Sequence, residues 1–529
     1  MVISQQGIVA TSQVAASQAG AQILARGGSA VDAAIAANAV LAVTEPLMDG
    51  IGGDLFALHW EAKTGKLTGL NGSGPAPRGL SPAFLAKLGI RQMPGGGIHS
   101  VTVPGAVDGW SRMHKRFGKL PWKDLFDAAI LHADQGFPVA EGMRELWGAA
   151  GMVRVLKTDS ESARVFLPDG KAPETGDIFR NPDLARAFRL IAAKGPDAFY
   201  KNEIAAAILA TSKKLGGTMT AEDLASFASE WVEPISTDYR GWRVYELPPN
   251  GQGMAALEML NIMETSPPAV EGAFSAAEIH KRIEAMKLAY SDIRRYVADP
   301  HDSDVPVARL LAKEYARKRA ALIDASRANC AVTAGDPIGS DTTYLTVVDR
   351  DGNIVSWIQS VFSFFGSRVT VDGMGFVLQN RASGFTLEPK HPNVLAGGKR
   401  PFHTIIPAFM EKGDIHMGFG IMGGAVQPLA HAQFVSNFVD YGMNIQAALE
   451  APRFAKANAN GCEVAIELRV PAATLQQLSE RGHVVQIRRE YVEAMGRGQA
   501  IIHNSKTRTN YAASDPRADG AAIPEPVRP

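Results

Sequence analysis

Thr342 stands where a nucleophile could be made by cutting the chain. The run Gly339-Ser340-Asp341-Thr342-Thr343-Tyr344-Leu345-Thr346-Val347-Val348-Asp349 sets a flexible linker directly before a patterned β-strand. Thr342, Tyr344, Thr346 and Val348 alternate with Thr343, Leu345 and Val347, as on a half-buried strand. Scission of Asp341-Thr342, by attack of the Thr342 hydroxyl on the preceding carbonyl, would free an α-amine. Such an amine titrates near ~7.7–8.0, so at neutral pH it can take the hydroxyl proton and return it to a leaving amine. Across the turn Arg350-Asp351-Gly352, a three-residue loop with Gly352 left-handed places Ser360 opposite Thr342, whereas a two-residue loop would place Val361 there.

Gly418-Phe419-Gly420-Ile421-Met422-Gly423 follows a strand and precedes a helix. The run satisfies GxGxxG but is read as a dinucleotide decoy, because no second parallel strand follows the helix after it. GxSxG, HExxH and P-loop patterns are absent, which removes serine-esterase, zinc-protease and nucleotide readings. No metal or cofactor is expected. His403 and His431 are expected to be structural, Asp299, Asp302 and Asp304 to form a solvated loop, and Cys330 and Cys462 to be inert small hydrophobes.

The segments that must position these residues alternate in type. Two helices are expected before about Val43, split at Gly27-Gly28 with Ser29 as an N-cap, then a hairpin over Asp54 to Ser73. Helices follow at about 122–135, 183–213, 253–263 and 275–296. After the Thr342 hairpin come a hairpin from Ile405 to Gly420, two helices from Gly424 to about Leu449, and strands near Val484 and Gln499. The tail from Ala518 is expected to be disordered. Helices, antiparallel strands and helices again predict two stacked sheets between helical layers, an αββα sandwich of the α+β class.

Fifty-four basic and 54 acidic residues balance to zero net charge, which argues against a nucleic-acid partner. The longest apolar stretch, Ala33 to Val43, is too short to span a bilayer and carries Asn38. Met1 to Gly7 has no basic, signal-like start, so a cytoplasmic location is expected.

Ordered motifs carry a resemblance over nearly the whole chain. They are Gly27-Gly28-Ser29-Ala30-Val31-Asp32-Ala33-Ala34, Thr44-Glu45-Pro46 with Gly50-Ile51-Gly52-Gly53, Val103-Pro104-Gly105, Tyr239-Arg240-Gly241 and Asp341-Thr342-Thr343. Further along stand Lys399-Arg400-Pro401, Gly423-Gly424, Ala451-Pro452-Arg453-Phe454 and Ser514-Asp515-Pro516-Arg517. In this order the chain resembles the γ-glutamyltranspeptidase family of N-terminal-nucleophile hydrolases. The resemblance implies self-cleavage into residues 1–341 and 342–529 that together form one αββα domain, with a possible homo-oligomer. It also implies Thr342 as nucleophile, Ser360 beside it, and Gly423 and Gly424 as oxyanion donors to a small-molecule amide.

The chain departs from transpeptidases where they clamp a zwitterion. Asn71 stands at the carboxylate-binding arginine's place, His403-Thr404 at the paired serines', and Phe362, Arg381 and Gly384 where the α-amino group is held. A cation at Arg381 disfavours an ammonium, so Gln379 to Phe385 looks more like the acylase-type branch, which includes cephalosporin acylases and oxamate amidohydrolases. Those take acyl groups that end in a carboxylate, a bidentate match for Arg381. Two other readings stay open: a true glutathione hydrolase or γ-glutamyltransferase, and a non-catalytic homologue that binds without reacting.

Overall fold

The helix Ala30–Thr44 is alanine-, valine- and leucine-rich on every side, so only burial on every side can satisfy it. It is buried throughout, and its first turn is closed by a capping box in which the Ser29 hydroxyl accepts from Asp32 N–H and Asp32 accepts from Ser29 N–H. The helix lies under a sheet containing Thr342. This computed structural model describes residues 1–332, 341–456 and 460–527. The Gly339-Ser340 linker lies outside them.

Among the described residues, two seven-stranded sheets stack on each other. The first runs Ala521–Pro524, Ile8–Thr11, Asp341–Val348, Ile354–Phe362, Asp54–Glu61, Lys66–Gly72 and Glu230–Val232. The second runs Val2–Ser4, Thr509–Ser514, Arg497–Asn504, Ile415–Met422, Ala408–Lys412, Trp242–Glu246 and Ile235–Tyr239. Phe56, Tyr344, Ile358, Ile405, Phe409 and Ile501 fill the space between the sheets. Outside the first sheet Leu345, Val347 and Trp357 pack on Ala30–Thr44, and outside the second Met410, Met417 and Phe419 join the helices Gly253–Glu264, Ala276–Tyr296 and Gln427–Val439. The fold is therefore the expected αββα sandwich, each layer burying the apolar face of the next.

Several expectations need correction. The 183–213 helix is three, Pro182–Lys194, Asp197–Tyr200 and Glu203–Lys214, because Gly195 takes a φ of 66° and Pro196 cannot continue a helix. The tail past Ala518 is not disordered where described: Ala521–Pro524 pairs antiparallel with Ile8–Thr11 and covers that sheet edge. Asp299 is buried and structural, accepting from the backbone N–H of Arg400 at 2.8 Å and of His301 at 3.1 Å, while Asp302 and Asp304 are exposed. Cys330 and Cys462 form a disulfide across 132 residues, with Cα atoms 5.0 Å apart. Ala328 N–H donating to Arg481 and Val484 N–H donating to Cys462 bring the two segments together, a long-range pairing that no CxxC spacing announces. No helix among the described residues is long and apolar enough to cross a membrane.

Candidate active site

The hairpin pairs as its turn requires. From Thr343↔Gln359 to Val348↔Ile354 the register is regular, and Gly352 holds a φ of 84° in the turn. Between Thr343 and Asp341 the register shifts, so that Thr342 faces both Ser360 and Val361 across a bulge. The Ser360 hydroxyl accepts the N–H of Phe362 at 2.8 Å, which supports the left-handed φ of 82° at Phe362. On the neighbouring strand Ser360 pairs with Asp54.

Alternation aims Thr342 between the sheets. A Cβ on Gly418 would lie 2.6 Å from Thr346 Oγ1, and one on Gly420 would lie 2.5 Å from the Tyr344 ring. The strand Ile415–Met422, which faces Tyr344 and Thr346 in this way, ends where Gly423 and Gly424 begin. Both glycines occupy φ values closed to side chains, 143° and 62°. They enter the helix Gln427–Val439 through a short 3₁₀ turn, where backbone N–H groups have no intrahelical acceptor and suit an anion. His431 fixes the strand leading there: its Nε2 accepts Ile421 N–H at 3.0 Å and its Nδ1 meets Glu246 at 2.8 Å. Burial drives the His431 pKa down to about 3, so the ring is neutral with the proton on Nδ1. The strand that leads into this glycine run pairs antiparallel with both of its neighbours, so the run is not part of a dinucleotide unit.

Arg381 is completely buried in the 3₁₀ turn Arg381–Gly384. Its Nη1 donates to Thr404 Oγ1 at 2.8 Å, its guanidinium carbon sits 4.4 Å from the Phe362 ring centroid, and Nε and Nη2 have no hydrogen-bond partner among the described residues. Nor does it form an ion pair within 4.0 Å among them. Burial lowers its pKa to about 9 against the attraction of Asp54. Asp54 is itself spoken for, accepting from Gly74 N–H (3.2 Å), Gly105 N–H (3.0 Å), Gln379 Nε2 (2.7 Å) and His403 Nε2 (3.1 Å). His403 Nδ1 accepts Ile405 N–H, so its proton lies on Nε2 toward Asp54, and burial, then Arg381, holds its pKa well below the usual range.

The structure thus gathers Arg381, His403 and Thr404, and adds Asp54 and Gln379, which the sequence reading passed over. Asn71 is tied elsewhere, donating to Asn250 Oδ1 at 2.9 Å and accepting Ser73 N–H at 2.9 Å. It connects to the cluster through Asn250, whose backbone carbonyl accepts His403 N–H. Asn71 also lines a cleft of about 680 Å³ with Glu230, His301 and Arg400, at the far edge of the Thr342 sheet. Gly384 is glycine because a Cβ would lie 2.8 Å from Phe402 O. Three carboxyl groups of one loop, Glu45, Asp49 and Asp54, are buried, and burial raises each pKa to about 7. A lone Asn38 inside an apolar helix was the one sequence signal for that polar floor. Away from the site, His280, Glu284 and His483 cluster, with the Lys287 ammonium already donating to Glu284 at 2.6 Å.

Residues 16–525 match the family described as gamma-glutamyltranspeptidase. The chain is 38% identical over 530 residues to the "glutathione hydrolase-like YwrD proenzyme" of Bacillus subtilis (strain 168), covering 99% of each. It is 33% identical to the "oxamate amidohydrolase proenzyme" of Klebsiella pneumoniae subsp. pneumoniae, over 98% of each chain. Among solved structures, cephalosporin acylase from Bacillus halodurans matches with a TM-score of 0.93 at 43% identity, covering 99% of this chain and 96% of that one.

Proposed function

Because the chain belongs to the gamma-glutamyltranspeptidase family and is an enzyme with its N-terminal-nucleophile hydrolase fold, we propose that it is a self-processing amidohydrolase for acyl groups that end in a carboxylate. The observation that carries the acyl preference is Arg381. A guanidinium taken out of water with two nitrogens unbonded among the described residues and no carboxylate hydrogen-bonded to it there is costly, and a substrate carboxylate that accepts from Nε and Nη2 offsets that cost.

In the proposed sequence, Thr342 Oγ attacks the Asp341 carbonyl carbon, the C–N bond breaks as the hydroxyl proton passes to nitrogen to give an ester and a free Thr342 amine, and water cleaves the ester to release the Asp341 carboxyl group and restore the Thr342 hydroxyl. That amine then removes the Thr342 hydroxyl proton as Oγ attacks the substrate carbonyl. Gly423 and Gly424 N–H groups hold the oxyanion. Collapse breaks the amide, with the amine's borrowed proton passing to the leaving nitrogen, and water releases the acid from the acyl-enzyme. Ser360, with Val361, stands opposite the nucleophile at the bulge, and Thr404 and His403 support Arg381. Asn71 is assigned to the outer wall of the site and not to the carboxylate.

Relatives named glutathione hydrolase favour a second reading, γ-glutamyl transfer or hydrolysis. It needs an acceptor for an ammonium, and Gln379 Oε1 is a buried acceptor with no hydrogen-bond partner among the described residues. Chromogenic glutaryl, oxalyl and γ-glutamyl amides compared in one buffer separate the two. The expected result is higher kcat/KM for glutaryl or oxalyl amides, each mismatched polar group costing about 1–3 kcal/mol. Arg381→Ala should depress that reaction more than the γ-glutamyl one. A better γ-glutamyl substrate, with a ratio unmoved by Arg381→Ala, would overturn the acyl preference.

A further inference from the structure

Thr343 points away from the reacting face, into the layer between the sheet and the helix Ala30–Thr44. There its hydroxyl meets Asp49 Oδ2 at 3.0 Å. The same carboxylate accepts from Asn38 Nδ2 at 2.6 Å, from Gly50 N–H at 2.7 Å and from Gln359 Nε2 at 2.6 Å. The partners are locked in turn. Asn38 Oδ1 accepts the indole N–H of Trp357 at 2.8 Å and of Trp110 at 3.1 Å, and Gln359 Oε1 accepts Trp110 Nε1 at 2.9 Å. Thr343 and Gln359 are also the last regular pair of the hairpin before the bulge that contains Thr342.

We propose that Asp49 is a positioning residue for the Thr342 hydroxyl, acting through Thr343 and Gln359 from behind the strand. A bulged residue is held on one side only by its regular neighbour, so a clamp on both members of that last pair decides where the bulge aims its side chain. The backbone of the same loop completes the clamp: Met48 O accepts Val361 N–H at 3.0 Å, and Leu47 O accepts Phe365 N–H at 2.7 Å. Burial raises the Asp49 pKa to about 7 against the hydrogen bonds from Gly50, Thr343 and Gln359. Burying such a group costs stability that an apolar residue would not, which is the pattern of a group kept for geometry.

The inference rests on Thr342 as nucleophile, and its test is a double-mutant cycle on the rate of self-cleavage and on kcat and KM for glutaryl and γ-glutamyl p-nitroanilides. Thr343→Val and Asp49→Ala are each expected to lower kcat about 10- to 100-fold at nearly constant KM, the cost of a nucleophile misplaced by a fraction of an ångström. Because the Thr343 hydroxyl acts through Asp49, the double variant should be no slower than Asp49→Ala alone, and Thr343→Ser should recover most of the rate lost in Thr343→Val. Multiplicative effects, or a lowered Tm with kcat intact, would overturn it. Should Asp49→Ala fail to fold, the Thr343→Val and Thr343→Ser pair decides alone. A wild type that matures to Thr342 but a Thr343→Val variant with full kcat sinks this inference only. A wild type without a Thr342 terminus sinks the nucleophile reading, and this inference with it.

Discussion

Gly424 holds a φ of 62° at the mouth of a helix, where a β-branched side chain is strained and would turn its N–H aside. Gly424→Val should therefore keep the fold by circular dichroism but lower kcat roughly 10²- to 10³-fold, the usual loss for one oxyanion donor. Unchanged turnover would remove the glycine pair from the mechanism. A different residue contributes to acid tolerance. His59 is buried, stacked on Phe117 at 3.8 Å, and burial with Arg116 nearby lowers its pKa to about 3. The unfolded chain binds a proton there below about pH 6.5 and the folded chain does not, so this contribution to stability is present above pH 6.5 and lost as pH falls toward 3. At pH 5 the loss is about 2 kcal/mol. His59→Phe should thus show a Tm that falls less than the wild type's between pH 7 and pH 5, and parallel curves would refute the assignment.

The Thr342 hairpin was legible in the sequence because it is local: strict alternation and one left-handed glycine set its register from Thr343 to Val348. The glycine turn after Met422 was legible for the same reason, whereas Arg381 was singled out only through the resemblance and its burial was not foreseen. What was not legible depends on partners far along the chain. Asp54 and Gln379 meet His403 and Arg381 only through the sheet, the disulfide joins residues 132 apart, and Ala521–Pro524 becomes a strand only because Ile8–Thr11 offers an open edge. That last pairing can be tested as an element. Deleting residues 520–529 removes the pairing and the Arg350–Glu525 ion pair, at 2.6 Å. Hydrogen exchange at Ile8–Thr11 should then speed up while the helix Gly253–Glu264 stays protected. Unchanged exchange at the edge would mean that the tail contributes nothing there.

Both sheets draw strands from each side of the Asp341-Thr342 bond, so the two pieces of a mature enzyme would remain one folded body. Under reduction and denaturation they should separate, into residues 1–341 and a second piece whose first residue by sequencing is Thr342, whereas Thr342→Ala should stay whole. An uncut wild type that hydrolyses no amide would favour a binding homologue. The Cys330–Cys462 bridge adds a consequence of connectivity, since one cysteine lies before the scissile bond and the other after it. Cutting a chain that is already closed into a loop opens the loop without dividing the molecule. Mass spectrometry of the denatured, oxidised mature protein should therefore find a single species heavier than its precursor by one water, and a thiol reductant should turn it into two. Whether the pieces can ever part is then set by the redox state of the surroundings rather than by the self-cleavage.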